Sequence, residues 1–176
     1  MTEQHLVISF LNEASATVLQ ELTQFIAQGA CEVERMRFAH LGQHQSGFMH
    51  IKGTWMALAK LEKQLEVLSR SQEGIFYVRT EAAVYKDPLV AYIVQVIGIY
   101  QPDTLHKVVQ FFNTQELLIN EIATTRYFTV HTQTPMLSIQ STVLVPADHS
   151  LAHLREAFIL FCEENNLDAM FEPERN

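Results

Sequence analysis

The sequence predicts an α+β protein built from two ferredoxin-like βαββαβ domains in tandem. Three observations carry this. The chain has 176 residues, long for one average domain and suited to two small ones. The same order of strand-like and helix-like segments runs through it twice. The short motif KDP at 86–88 separates the runs, and Pro88 discourages a strand across the boundary. The domains are therefore expected at 1–86 and 87–176.

In the first repeat, HLVISFL (5–11) is apolar and β-branched enough for a buried strand. Val18, Leu22, Phe25 and Ile26 then recur at helical spacing, with Gly29 as the expected C-terminal cap. CEVERMRFAHL (31–41) and SGFMHIKGT (46–54) read as two strands around a turn at 42–45. Thr54 is placed to cap a second helix whose Leu58, Leu61, Leu65 and Leu68 share a face. GIFYVRTEA (74–82) completes the unit.

The second repeat follows the same grammar. VAYIVQVI (90–97) is a strand, and 102–116 a helix with Leu105, Val108, Val109 and Phe112 inward. LINEIATTRYFTV (118–130) and PMLSIQSTVLV (135–145) are strands joined by HTQT. The segment 148–166 is a helix presenting Leu151, Leu154, Phe158 and Phe161, and LDAMFEP (167–173) is the closing strand. Each sheet is expected to be antiparallel with its helices on one face. Leu6, Ile8 and Phe10 point one way, but Val7 and Leu11 point the other. The second face therefore calls for a cover, either the other sheet or a second chain, and a homodimer is expected.

Composition excludes several classes. Hydrophobic residues make up 48% of the chain, enough for real cores. The formal charge of −8, with only 12 Lys and Arg and no basic run, argues against direct DNA binding. No apolar run approaches the length of a membrane span, and no signal peptide is evident, so a soluble cytoplasmic protein is expected. Cys31 and Cys162 make no metal or disulfide framework and read as reduced core residues.

Catalytic and metal constellations are absent from the pattern. No Ser-His-acid or Cys-His spacing stands out, so no catalytic residue and no cofactor are expected. His40, His44 and His50 surround one hairpin, with His5 on another strand, but alternation forces no meeting; they read as surface or edge histidines, with no metal. SGFMHI (46–51) lacks the basic residue and second aromatic of an RNA-stacking strand. An acyl-phosphate hydrolase would need an arginine in the first turn, and NEASAT (12–17) offers none. Trp55 reads as a half-buried residue at the start of a helix.

The residues also resemble a known family. Cys31, Val33, Glu34, Arg37, Ala39, Leu41 and Gly42 follow the second-strand pattern of the tandem ACT domains in glycine cleavage system transcriptional repressors. Thr134-Pro135-Met136, Val145-Pro146-Ala147-Asp148, Leu154-Arg155 and Asn166-Leu167-Asp168-Ala169 match blocks of that family's second domain. The resemblance spans nearly the whole chain and lies in the order of motifs. It implies ACT-type domains and a non-enzymatic cytoplasmic regulator that acts by contact with a LysR-type transcription activator. A second function stays open: a module that senses an amino acid or another small molecule and allosterically regulates an enzyme.

The resemblance also points to a ligand turn between the first strand and first helix of each domain, roughly Gly-x-Asp-x-Pro-Gly. In such a turn glycine lets backbone N–H groups approach a carboxylate, the helix N-terminus adds donors, and the Asp receives an ammonium group. The candidate ligand-binding residues are thus Asn12, Glu13, Ala14 and Ser15 in the first unit. In the second they are Gly98, Tyr100, Gln101, Pro102 and Asp103. The first turn has changed at every signature position, with Ala16-Thr17 standing for Pro-Gly. The second keeps Gly98 and Pro102 but has Tyr100 in place of the Asp and Asp103 in place of the final Gly. Pro102 and Asp103 also suit an ordinary helix start, where Asp103 would repel an incoming carboxylate.

Overall fold

The computed structural model describes residues 4–14, 17–81 and 88–174. The chain divides into two compact units, Met1–Val84 and Tyr85–Asn176. The boundary expected after residue 86 lies outside the described residues. The first unit runs β1 (Gln4–Glu13), α1 (Val18–Gln28), β2 (Glu32–Leu41), β3 (His44–Gly53), α2 (Trp55–Ser71) and β4 (Ile75–Thr80). The second runs β5 (Leu89–Ile99), α3 (Thr104–Thr114), β6 (Leu118–Phe128), β7 (Pro135–Pro146), α4 (Leu151–Glu164) and β8 (Leu167–Pro173). Each is a four-stranded antiparallel sheet, ordered β2-β3-β1-β4 and β6-β7-β5-β8. This is the ferredoxin-like arrangement, twice.

Strand alternation builds each core. Leu6, Ile8 and Phe10 of β1 are fully buried beneath Val18, Leu22, Leu58, Leu61 and Leu65 of the two helices. Tyr92, Val94 and Val96 of β5 do the same beneath Val108, Phe112, Leu154 and Phe158. The phenylalanines of α3 and α4 interlock, with Phe111 stacked on Phe161 at 4.9 Å and tilted against Phe158 at 5.4 Å. Both units also carry a β-bulge at the same place, between Val33 and Arg35 in β2 and between Ile119 and Glu121 in β6. The duplication therefore extends to local irregularities, beyond the order of elements.

Some local expectations need correcting. Gly29 caps α1 as expected, its N–H bonded to the Phe25 and Ile26 carbonyls, but in a right-handed conformation; the left-handed residue that turns the chain is Ala30, at φ 53°. Leu105 is exposed, and Thr104 takes the inward position, at i, i+4 and i+8 spacing with Val108 and Phe112. Trp55 is 62% exposed, with the Arg79 guanidinium 5.7 Å from its ring. Arg79 is held in place by a two-pronged bond to Glu62 at 2.8 Å on each arm. Cys31 sits at the rim of its core, whereas Cys162 is buried within the other.

No helix among the described residues is long and apolar enough to cross a membrane.

Two measurements check this account of the cores. Thr54 accepts a hydrogen bond from the Ala57 N–H at 3.2 Å, so Thr54→Ala should cost about 1 kcal/mol in urea denaturation and Thr54→Ser much less. Burial pushes the Cys162 thiol up to about 11 from an ordinary 9.0. The unfolded thiol therefore ionises first as pH rises, and the native state loses stability between about pH 9 and 11. That loss, on the order of 2 kcal/mol, should be absent from Cys162→Ala measured over the same range.

Candidate functional site

The strand-to-helix turns sit where the resemblance places them, and a backbone amide of each is bonded within its own unit. Asn12 is the penultimate residue of β1 and is buried; its side-chain amide donates to the Glu73 carbonyl, and its Oδ1 is buried without a hydrogen-bond partner. Glu13 is exposed and stands opposite His44 in the sheet. The Ala14 N–H donates to the Gln43 carbonyl at 2.9 Å, tying the turn to the β2–β3 hairpin. Ser15 and Ala16 lie outside the described residues.

Helix α1 then starts at Thr17, whose hydroxyl does not cap it and instead donates to Glu21 at 2.5 Å. Gln72 donates to the same Glu21 oxygen at 2.9 Å. A carboxylate belonging to the protein thus stands in the first turn of the helix, where an anionic ligand would seek the positive dipole end. Sequence reasoning missed Glu21, because only the fold brings Gln72 across to fix it. Beside it Leu11, Asn12, Glu13, Thr17, His44, Ser71, Gln72 and Glu73 line a groove of about 650 Å³.

The second turn has the same logic with other residues. Asp103 occupies the N-cap position but makes no capping bond; its carboxylate pairs with Lys107 at 2.9 Å. The hydrogen bond to Lys107 holds the carboxyl below its usual range, so Asp103 keeps its charge well into acid. The small stability tied to that shift is present above the unfolded value and is lost as pH falls through the folded one. The Tyr100 N–H donates to the Pro135 carbonyl at 2.9 Å. Above the Tyr100 ring lies the Arg126 guanidinium, 4.3 Å from its centre and 5.4 Å from that of Phe128. Arg126 comes from β6, a strand whose sequence gave no sign that it would meet this turn. Gln101 and Pro102 are exposed and precede the helix; the Gln101 carbonyl accepts from the Thr104 N–H at 3.2 Å.

Gly98 serves packing within the sheet. It lies inside β5, and a Cβ there would stand 2.5 Å from Leu167 Cδ2. In the first unit a comparable close approach lies one position away, at Gly74, φ +79°, where a Cβ would stand 2.0 Å from the Leu11 carbonyl oxygen. The close approach between the first and last strands of each unit is thus kept by a glycine on one side or the other.

The histidines also depart from expectation. His44 and His40 are exposed, but His5 is buried and His50 half-buried, and their rings stack at 4.9 Å. Glu34 joins them, with Oε2 at 3.3 Å from His5 Nδ1 and 3.1 Å from His50 Nδ1. On the same side of the second unit, Ile93, Gln95, Glu121, Ala123, Gln140, Ser141 and Thr142 line a more polar hollow of about 310 Å³.

Replacing Gly98 by Ala tests its assignment. The substitution forces Leu167 to rotate away, at a cost of about 1–3 kcal/mol in urea denaturation. The penalty should shrink when Leu167→Ala is already present; an equal penalty in both backgrounds would mean that the Leu167 contact is not its cause.

No protein-family profile matches the chain. The chain is 24% identical over 166 residues to the glycine cleavage system transcriptional repressor of Escherichia coli K12, an alignment covering 94% of this chain and 87% of that one. The figures for the protein of the same name from Shigella flexneri are identical. Among solved structures, a protein of unknown function from Galdieria sulphuraria superposes with a TM-score of 0.76 at 16% identity, covering 99% of this chain and all of that one. A protein provisionally described as a glycine cleavage system transcriptional repressor superposes with a TM-score of 0.69 at 19% identity, over the full length of both chains. At those identities the structural matches establish the fold, while the sequence match runs through both units. In sequence along nearly its whole length, the chain resembles the glycine cleavage system transcriptional repressors.

Proposed function

We propose that the chain is a non-catalytic regulatory protein of the cytoplasm that represses glycine cleavage genes by binding a LysR-type transcription activator. The observation that carries this reading is the sequence match to a repressor of those genes across both units, which covers 94% of the chain. The acidic balance, −8 with no basic run, supports action through a protein contact without direct DNA binding. A homodimer belongs to the same reading. Its support is the apolar surface that the first unit exposes on β3 and β4, where Phe48 is 44%, Phe76 68% and Val78 61% accessible. The ACT-type description of the domains is carried by the quoted motifs together with the β2-β3-β1-β4 order.

A second reading, a small-molecule sensing module that controls an enzyme, rests on the groove beside Asn12. An unpartnered Oδ1 there is an acceptor that a ligand ammonium or hydroxyl could use. Thermal-shift measurements with amino acids and nucleotides separate the two readings. A saturable shift that Asn12→Ala abolishes would favour the sensor.

Affinity capture of the chain from its native cytoplasm should recover a LysR-type protein, and deletion of its gene should raise glycine cleavage transcripts. Recovery of no such protein, together with unchanged transcripts, would overturn the proposed repression.

A further inference from the structure

We propose that His5, Glu34 and His50 form a three-ligand site for a divalent transition-metal ion of the zinc type on the helix-free face of the first sheet. The three residues each offer one ligand atom, and these atoms lie within 4.8 Å of one another. The two edges that meet at Glu34 Oε2, 3.3 and 3.1 Å, are close to the roughly 3.3 Å edge of a tetrahedron with metal–ligand bonds of about 2.0 Å. Two imidazoles with one carboxylate is a donor set that such ions take readily, and it leaves the fourth position for water or an outside donor.

The backbone builds this arrangement through a specific irregularity. In the regular ladder Val7 stands opposite His50 and His5 opposite Lys52, so the two histidines are diagonal neighbours on one face of β1 and β3. Glu34 reaches them because it is the extra residue of the bulge between Val33 and Arg35, and a bulge re-aims a side chain. The second unit has the same bulge, yet Ala91, Asn120 and Thr142 stand at the corresponding positions. The fold therefore does not require this trio; it is particular to the first unit.

A second observation concerns the environment of His5. Nδ1 of His5 is buried and makes no hydrogen bond, although the carboxylate oxygen of Glu34 lies 3.3 Å away. The residue as a whole is only 7% exposed. A bare lone pair facing a carboxylate oxygen is repulsive unless a proton or a cation lies between them. Nδ1–H tautomers of the two neutral imidazoles, whose rings stack 4.9 Å apart, are one answer, and a metal ion is the other. One shared metal ion satisfies all three groups at once. Lys52 and Arg35 are the charged residues opposite His5 and His50 in the ladder.

The test uses the untagged full chain, stripped with chelator and titrated with Co²⁺ and then Zn²⁺. The expected result is one equivalent of Co²⁺ with the intense visible bands of four-coordinate cobalt, displaced by Zn²⁺. His50→Ala and Glu34→Gln should each weaken binding by at least about tenfold. His44→Ala, on the neighbouring hairpin, should leave it unchanged, and circular dichroism establishes that each variant folds. No uptake by the folded wild type would overturn the proposal, leaving the trio as a set of polar contacts within the sheet. Uptake that survives His50→Ala and Glu34→Gln, or that disappears with His44→Ala, would overturn it equally.

Discussion

The rest of the structure depends on one register constraint in each unit. Leu6, Ile8 and Phe10 must face two helices, and so must Tyr92, Val94 and Val96. A slip of one residue would turn Leu6, Ile8 and Phe10 away from their core and His5, Val7 and Ser9 into it. Because β1 and β5 lie between two partner strands, that choice also fixes β3, β4, β7 and β8. The positions of Asn12, Gly98 and His5 follow from it without further instruction.

The same constraint explains why each turn holds its place in the fold whatever residues it carries. A βαββαβ unit needs a strand to deliver the chain to a helix start at that corner, whatever binds there. In this protein both helix starts carry a carboxylate of their own, Glu21 held by Thr17 and Gln72, and Asp103 held by Lys107. The amides of Ala14 and Tyr100 are bonded to Gln43 and Pro135. An incoming carboxylate would meet like charge and occupied donors at both corners.

Much of the architecture is legible in the sequence because it is local. Leu58, Leu61, Leu65 and Leu68 announce a helix face through spacing alone, and all four are buried. Thr54 announces its start in the same way. The candidate sites are legible only as positions. That Gly98 answers to Leu167, that Arg126 covers Tyr100 and that Gln72 steadies Glu21 are relations across long stretches of chain, set by strand order. Glu34 is harder still. Simple alternation predicts no meeting with His5 and His50, and the bulge that brings it over has no signature in CEVERMR.

The claim that both corners are closed from within is tested most directly by amide-resolved NMR of the full chain titrated with glycine. The account predicts that the Ala14 and Tyr100 amides keep their shifts and stay protected from exchange throughout the titration. Saturable displacement of either signal by glycine would show that the turn amides are free to bind a carboxylate, and would contradict it.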